Sequence, residues 1–208
     1  MDELPRLEIE GGEWYRAVPP PAVPMPAANM PPDLHGARAI LSDTGTGSIY
    51  DLRILGDAHR GTGNPEVDVV PELDYWRAKI QPDRPVHPRR VPLSQIYIEH
   101  RLPYEPGAEP TAPAEPAFLM RRLAPRPEQP GARTPVPARS VGTLHGRRII
   151  QVTPLGFRWD LRAVSEPFED DNHDIVVHLT SAQEYYQWVL AGIDPEPVAI
   201  GLYLLWTE

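Results

Sequence analysis

A carboxylate on a tight glycine turn becomes an acid–base catalyst when a second one faces it, because the two then share a proton over a water. Asp43-Thr44-Gly45, preceded by Ile40-Leu41-Ser42, offers one such carboxylate. Glu169-Asp170-Asp171-Asn172-His173-Asp174 offers several, and Asp170, Asn172 and Asp174 have the alternate spacing of the first half of a calcium loop. That loop needs glycine where Ile175 stands and a bidentate glutamate where Ser181 stands, so a solvated loop before a strand fits better. The histidines are His35, His59, His87, His100, His145, His173 and His178. They form no HExxH pattern, and His173 with His178 is the nearest approach to a metal pair. His35 and His145 each precede a glycine at a strand start, which suits a duplicated structural role. Asp51/Arg53 and Asp160/Arg162 are expected on the face of a strand opposite its apolar residues, bridging each other or neighbours across the sheet. An exposed pair is worth about 0–1 kcal/mol, so these could mark a shared contact face or simply common ancestry.

The triplet at Asp43 resembles the aspartic protease signature. The resemblance implies a second aspartate alongside, which a homodimer supplies in retroviral-type proteases. Two departures stand against it: Gly47 follows Thr46, and the matching turn Thr153-Pro154-Leu155-Gly156 brings no aspartate. A glycine-rich hairpin turn accounts for the triplet. Neither GxxxxGK[ST], nor GxGxxG between strand and helix, nor GxSxG occurs. No catalytic, cofactor-binding or metal-ligating residue is assigned; the chain reads as non-enzymatic and without a cofactor.

The elements that would position any site come as a repeat. Leu34-His35-Gly36-Ala37-Arg38-Ala39-Ile40 parallels Leu144-His145-Gly146-Arg147-Arg148-Ile149-Ile150, and Tyr50-Asp51-Leu52-Arg53 parallels Trp159-Asp160-Leu161-Arg162. Val67-Asp68-Val69-Val70 is then aligned with Asp174-Ile175-Val176-Val177, and Asp74-Tyr75-Trp76 with Glu184-Tyr185-Tyr186. Ile96-Tyr97-Ile98 and Leu202-Tyr203-Leu204 close the two copies. Each copy reads as a hairpin, a strand, a helix and a strand. The hairpins are 37–42 with 49–55 and 147–153 with 157–164, turned by glycine. Ser181 and Glu184 form a capping box, Tyr185, Trp188 and Val189 an apolar stripe, and Gly192 a helix stop. The first helix is expected over 72–80, between Pro71 and Pro82. The apolar run 198–206 predicts a central strand buried on both faces. The fold class is therefore α+β: two homologous ββ-β-α-β modules from internal duplication, with an extended proline-rich arm and linker.

Proline makes up 28 of 208 residues, where about 5% is usual. Eight lie in residues 1–34 and ten in 103–137. This divides the chain into an N-terminal arm (1–33), module 1 (34–102), a linker or arm (103–140) and module 2 (141–208). Such segments favour extended polyproline geometry. They also carry Trp14, Tyr15, Met25, Met30, Phe118, Leu119 and Met120, apolar anchors that a solvated linker has little use for. These seven are the expected partner-binding residues.

Composition narrows the partners. Hydrophobic residues are 41%, enough for a core, and the net charge of −9 excludes a phosphate-backbone binder. The scattered Arg89-Arg90, Arg121-Arg122 and Arg147-Arg148 make no basic patch. Cysteine is absent, which excludes disulfides and thiolate chemistry. No run reaches 18 apolar residues and the acidic start lacks signal-peptide features, so neither membrane nor export is expected. The expected function is a structural or interaction protein within a multi-subunit assembly, cytoplasmic or built into a virion. Its most concrete form is a viral (phage) capsid or tail component, and its partners are other protein subunits, with a homo-oligomer as one arrangement. Two other classes remain: an acidic, immunity-type inhibitor of a basic partner, and an enzyme with a site between the modules at Asp43 or the His173 cluster.

Overall fold

The computed structural model describes residues 13–30, 33–43, 47–59, 64–101 and 129–208. They divide into two units, one holding 22–101 and 129–132, the other 13–21 and 133–208. Both are antiparallel sheets with one helix each, an α+β composition.

The first unit contains β1 (Ala22–Pro26), β2 (Arg38–Asp43), β3 (Gly47–Ile54), β4 (Glu66–Pro71), α1 (Glu72–Ile80), β5 (Arg89–Pro92) and β6 (Ile96–Arg101). The strand order is β1-β6-β2-β3-β4-β5. Alternate residues of these strands send Ala39, Leu41, Leu52, Ile54, Val67, Val69, Ile96 and Ile98 into one core. β1 lies in the segment that the sequence reading assigns to the arm. Its prolines, Pro24 and Pro26, have no N–H to give, which an edge strand tolerates.

The second unit contains β7 (Val136–Pro137), β8 (Arg148–Thr153), β9 (Gly156–Ala163), β10 (Phe168–Glu169), β11 (Ile175–Ser181), α2 (Ala182–Ala191), β12 (Val198–Gly201) and β13 (Leu205–Thr207). Its order is β10-β11-β9-β8-β13-β7, with β12 also on β11. β7 falls inside the expected linker and pairs with β13. The core is Leu144, Ile149, Leu161, Ala163, Val177, Leu179 and Leu205, with Ala138. α2 begins with the expected capping box: the Ser181 hydroxyl accepts from the Glu184 N–H, and the Glu184 carboxylate accepts from the Ser181 N–H. It ends at Gly192, whose φ of 69° is left-handed.

Strand for strand, the two pairings correspond. Leu52 lies opposite Pro71 as Leu161 lies opposite Ser181, and Ile40 opposite Tyr97 as Ile150 opposite Trp206. This register corrects two blocks of the sequence alignment by three residues. Val67–Val70 correspond to Val177–Thr180, and Ile96–Ile98 to Leu205–Thr207.

Two expectations are overturned. The run 198–206 is not one buried strand: β12 leaves β11, a 3₁₀ turn at Leu202–Leu204 redirects the chain, and β13 joins β8. One straight strand cannot serve both neighbours, and Val198 is 60% exposed. The arginines of the two Asp/Arg pairs do not face solvent either. Asp51 and Asp160 take left-handed φ of 61° and 60° beside register shifts in β2–β3 and β8–β9. Beyond the bulge the alternation holds, with Leu52 and Ile54, and Leu161 and Ala163, in the cores. Arg53 and Arg162 take the opposite face, where Glu72 of α1 and Tyr186 of α2 meet them, and are only 9% and 8% exposed.

Both arginines are held in polar cages. Arg53 donates through Nε and Nη2 to Glu72 Oε1 at 3.2 and 2.7 Å, and through Nη1 to the Gly36 carbonyl at 2.9 Å. Arg162 donates to the Gly146 carbonyl at 2.9 Å and to the Tyr186 hydroxyl at 3.0 Å. Each guanidinium also lies over a tyrosine, Tyr75 at 5.6 Å or Tyr185 at 5.7 Å. No helix among the described residues is long and apolar enough to cross a membrane.

Candidate docking site

The second unit carries a pocket of about 500 Å³ lined by Tyr15, Arg16, Val18, Pro137, Arg139, Leu202, Tyr203, Leu205 and Trp206. Three short pieces of chain build it. The 3₁₀ turn Trp14–Arg16 supplies Tyr15 and Arg16, the turn after β7 supplies Arg139, and the turn between β12 and β13 supplies Tyr203. Pro137 lies opposite Trp206 in the β7–β13 pair, which sets a proline ring and an indole side by side at the sheet edge.

Tyr203 is 64% exposed and Tyr15 39%, unusually open for aromatic residues. The charged lining residues are both arginines. Arg16 bridges Glu13 at 2.7 Å, and its guanidinium sits 5.8 Å from the Tyr15 ring centre. Aromatic rings with arginines and few other charges are the composition of protein-binding hot spots.

Gly201 has a specific task here. Its backbone, φ −56° and ψ 128°, matches that of Pro92 at the corresponding place in the first unit, φ −58° and ψ 134°. Glycine is therefore not needed for its conformational freedom. A Cβ at 201 would meet the Tyr203 ring at 2.6 Å, so the glycine leaves room for that ring.

Of the seven expected partner-binding residues, Tyr15 lines the pocket, and Trp14 touches it edge to face with ring centres 6.1 Å apart. Met25 sits in β1 opposite Ile98, and Met30 packs on the first core. Phe118, Leu119 and Met120 lie outside the described residues. Arg16, Arg139, Tyr203 and Trp206 escaped the sequence reading. One available signal was the likeness of Pro26-Ala27-Ala28-Asn29 to Pro137-Ala138-Arg139-Ser140, which places both segments in the modules.

The other chemical candidates sit elsewhere. Asp43 ends β2 opposite Gly47, and Thr44–Thr46 lie outside the described residues. Asp170 Oδ1 accepts the backbone N–H groups of Asn172 and Asp174 at 2.9 and 3.0 Å, which commits that carboxylate to shaping its own loop. His173 Nδ1 contacts Glu169 Oε1 at the same tip. No cluster of three or more histidine or carboxylate side chains able to hold a metal ion occurs among the described residues.

A polar row also crosses the first sheet. Asp68 accepts from Arg90 Nε on Oδ1 at 2.9 Å and from Arg90 Nη2 on Oδ2 at 3.1 Å, and His59 Nε2 lies 3.0 Å from the same Oδ2. The hydrogen bonds from Arg90 first, with help from His59, hold the Asp68 carboxyl below its ordinary value against the desolvation that raises it. Asp68 and Arg90 are directly opposed across β4 and β5, the ordinary geometry of a cross-strand ion pair. No protein-family model, no curated protein and no solved structure matches this chain.

Proposed function

We propose that the chain is a non-enzymatic interaction protein, a subunit of a larger protein assembly, built from two modules that arose by duplication. The observation that carries the reading is the pocket of the second unit, where Tyr203, Tyr15 and Trp206 stand with Arg139 around a concave surface. Rings and guanidinium groups offer large contact area at low rotamer cost, and they dominate the energetics of protein interfaces. A shared order over five strands, β1-β6-β2-β3-β4 against β7-β13-β8-β9-β11, supports the duplication. The enzyme reading has less support, since the Asp170 carboxylate serves its own loop. A virion is the most concrete setting for such an assembly, and other subunits are then the partners.

Sedimentation of native extracts from the source, with the chain followed by antibody, tests this. The chain is expected in particles far heavier than its own 23.3 kDa. A chain that sediments at its monomer mass in every fraction overturns the assembly reading.

A further inference from the structure

The pocket of the second unit is lined by rings, a proline and two arginines. Grooves of this composition take proline-rich ligands: the stiff polyproline II helix loses little entropy on docking, and its proline rings lie flat against aromatic faces. The arginines add a second requirement, that the ligand be acidic.

The chain contains a sequence that meets both requirements. Residues 103–116 hold Pro103, Pro106, Pro110, Pro113 and Pro116, with Glu105, Glu109 and Glu115, and neither lysine nor arginine. Polyproline II repeats every three residues. A bound ligand of this sequence would therefore present Pro110, Pro113 and Pro116 along one ridge. Glu109 and Glu115 would share the neighbouring ridge. One ridge can pack on rings while the next meets guanidinium groups.

We propose that this pocket binds the Pro103–Pro116 segment of a second copy of the chain. The inference rests on the interaction-protein reading and names the partner. Exposure argues for a second copy, since Tyr203 and Tyr15 stand open in the single chain. Donor segment and acceptor groove are then different parts of one chain. Such a contact is heterologous: it closes into a ring or runs on as a filament.

Sedimentation equilibrium of the purified full chain, from about 1 μM to about 1 mM, spans the affinities at issue. The average mass is expected to rise above 23.3 kDa with concentration, and a synthetic peptide of residues 103–116 to lower it again. Tyr203→Ala should abolish the rise without altering the melting temperature, because the side chain is largely exposed. Arg139→Glu should weaken association at least about tenfold, an electrostatic penalty, and Glu109→Lys with Glu115→Lys in the same chain should restore it. A wild-type chain that stays monomeric throughout, as it would if its own segment filled the groove, overturns the proposal. So does association that Tyr203→Ala leaves intact, or a charge reversal without rescue. A monomer here together with heavy particles in native extracts would remove this partner and leave the assembly reading standing.

Discussion

The corresponding 3₁₀ turns of the two units follow the same path and carry different surfaces. At the turn after the edge strand, the second unit has Arg139 where the first has Ala28. Before the last strand it has Tyr203 where the first has Ser94. In the last strand Trp206 replaces Tyr97, which is buried. The backbone entering each turn is nearly the same, φ −54° at Pro26 and −55° at Pro137. At the two turn positions the side chains are therefore small and neutral in one unit and aromatic or cationic in the other. The scaffold sets where these side chains stand; their identity makes the groove.

The buried arginines show the opposite pattern, a shared need met by different chemistry. Arg53 has the Glu72 carboxylate, whereas Arg162 has the Tyr186 hydroxyl. Glu72→Ala removes the carboxylate from a buried pair and should cost about 3–5 kcal/mol. Tyr186→Phe removes one hydrogen bond to a charged group and should cost about 1.5–3 kcal/mol. Urea denaturation of both variants breaks the comparison if the second loss equals or exceeds the first.

Gly36 and Gly146 have φ of 76° and 77°, and a Cβ would lie 2.6 Å from the Tyr75 hydroxyl or 3.0 Å from that of Tyr185. Left-handed geometry alone costs an alanine about 1–2 kcal/mol. Gly36→Ala should exceed this and Gly146→Ala should stay near it. Tyr75→Phe should recover part of the Gly36→Ala loss in thermal melts; no recovery would assign the whole loss to backbone strain.

A smaller difference separates the helix starts. α2 has Ser181 and its capping box, whereas α1 starts at Pro71 without a side-chain cap. Ser181→Ala should cost about 1 kcal/mol. The Thr180 hydroxyl first, then the Ser181 groups, hold the Glu184 carboxyl below its ordinary value. Its folded pKa is thus below the unfolded one, so its contribution is complete above the unfolded value and is lost as pH falls through the folded value. The stability gap between wild type and Ser181→Ala should narrow as acid protonates Glu184. A gap constant from neutral to acid pH would show that the carboxylate does not serve the cap.

Much of the scaffold was legible in the chain and the groove was not. α2 could be read because Ser181, Glu184 and Gly192 act locally, each through hydrogen bonds or φ within one turn. The bulges at Asp51 and Asp160 were hidden, because aspartate enters left-handed geometry without a distinctive neighbour pattern. The burial of Arg53 and Arg162 was hidden for another reason: the face they occupy is covered by α1 and α2, about twenty residues further along the chain. The break at Leu202–Leu204 was hidden too, since apolar residues run through it and only the change of partner strand imposes it. The groove needed that break, together with Tyr15 from the far end of the chain, so no local window contained it.

The smallest stability effect carries the sharpest contrast between the units. Gly201→Ala should leave the melting temperature nearly unchanged and displace the Tyr203 ring, whereas Pro92→Ala in the first unit should displace no aromatic side chain. A labelled peptide of residues 103–116, titrated with the full chain and followed by fluorescence anisotropy, reads the consequence directly. Saturable binding is expected, weakened by Tyr203→Ala and Gly201→Ala and untouched by Ser94→Ala. Absence of binding to the wild-type chain, or equal binding by all four proteins, would contradict it.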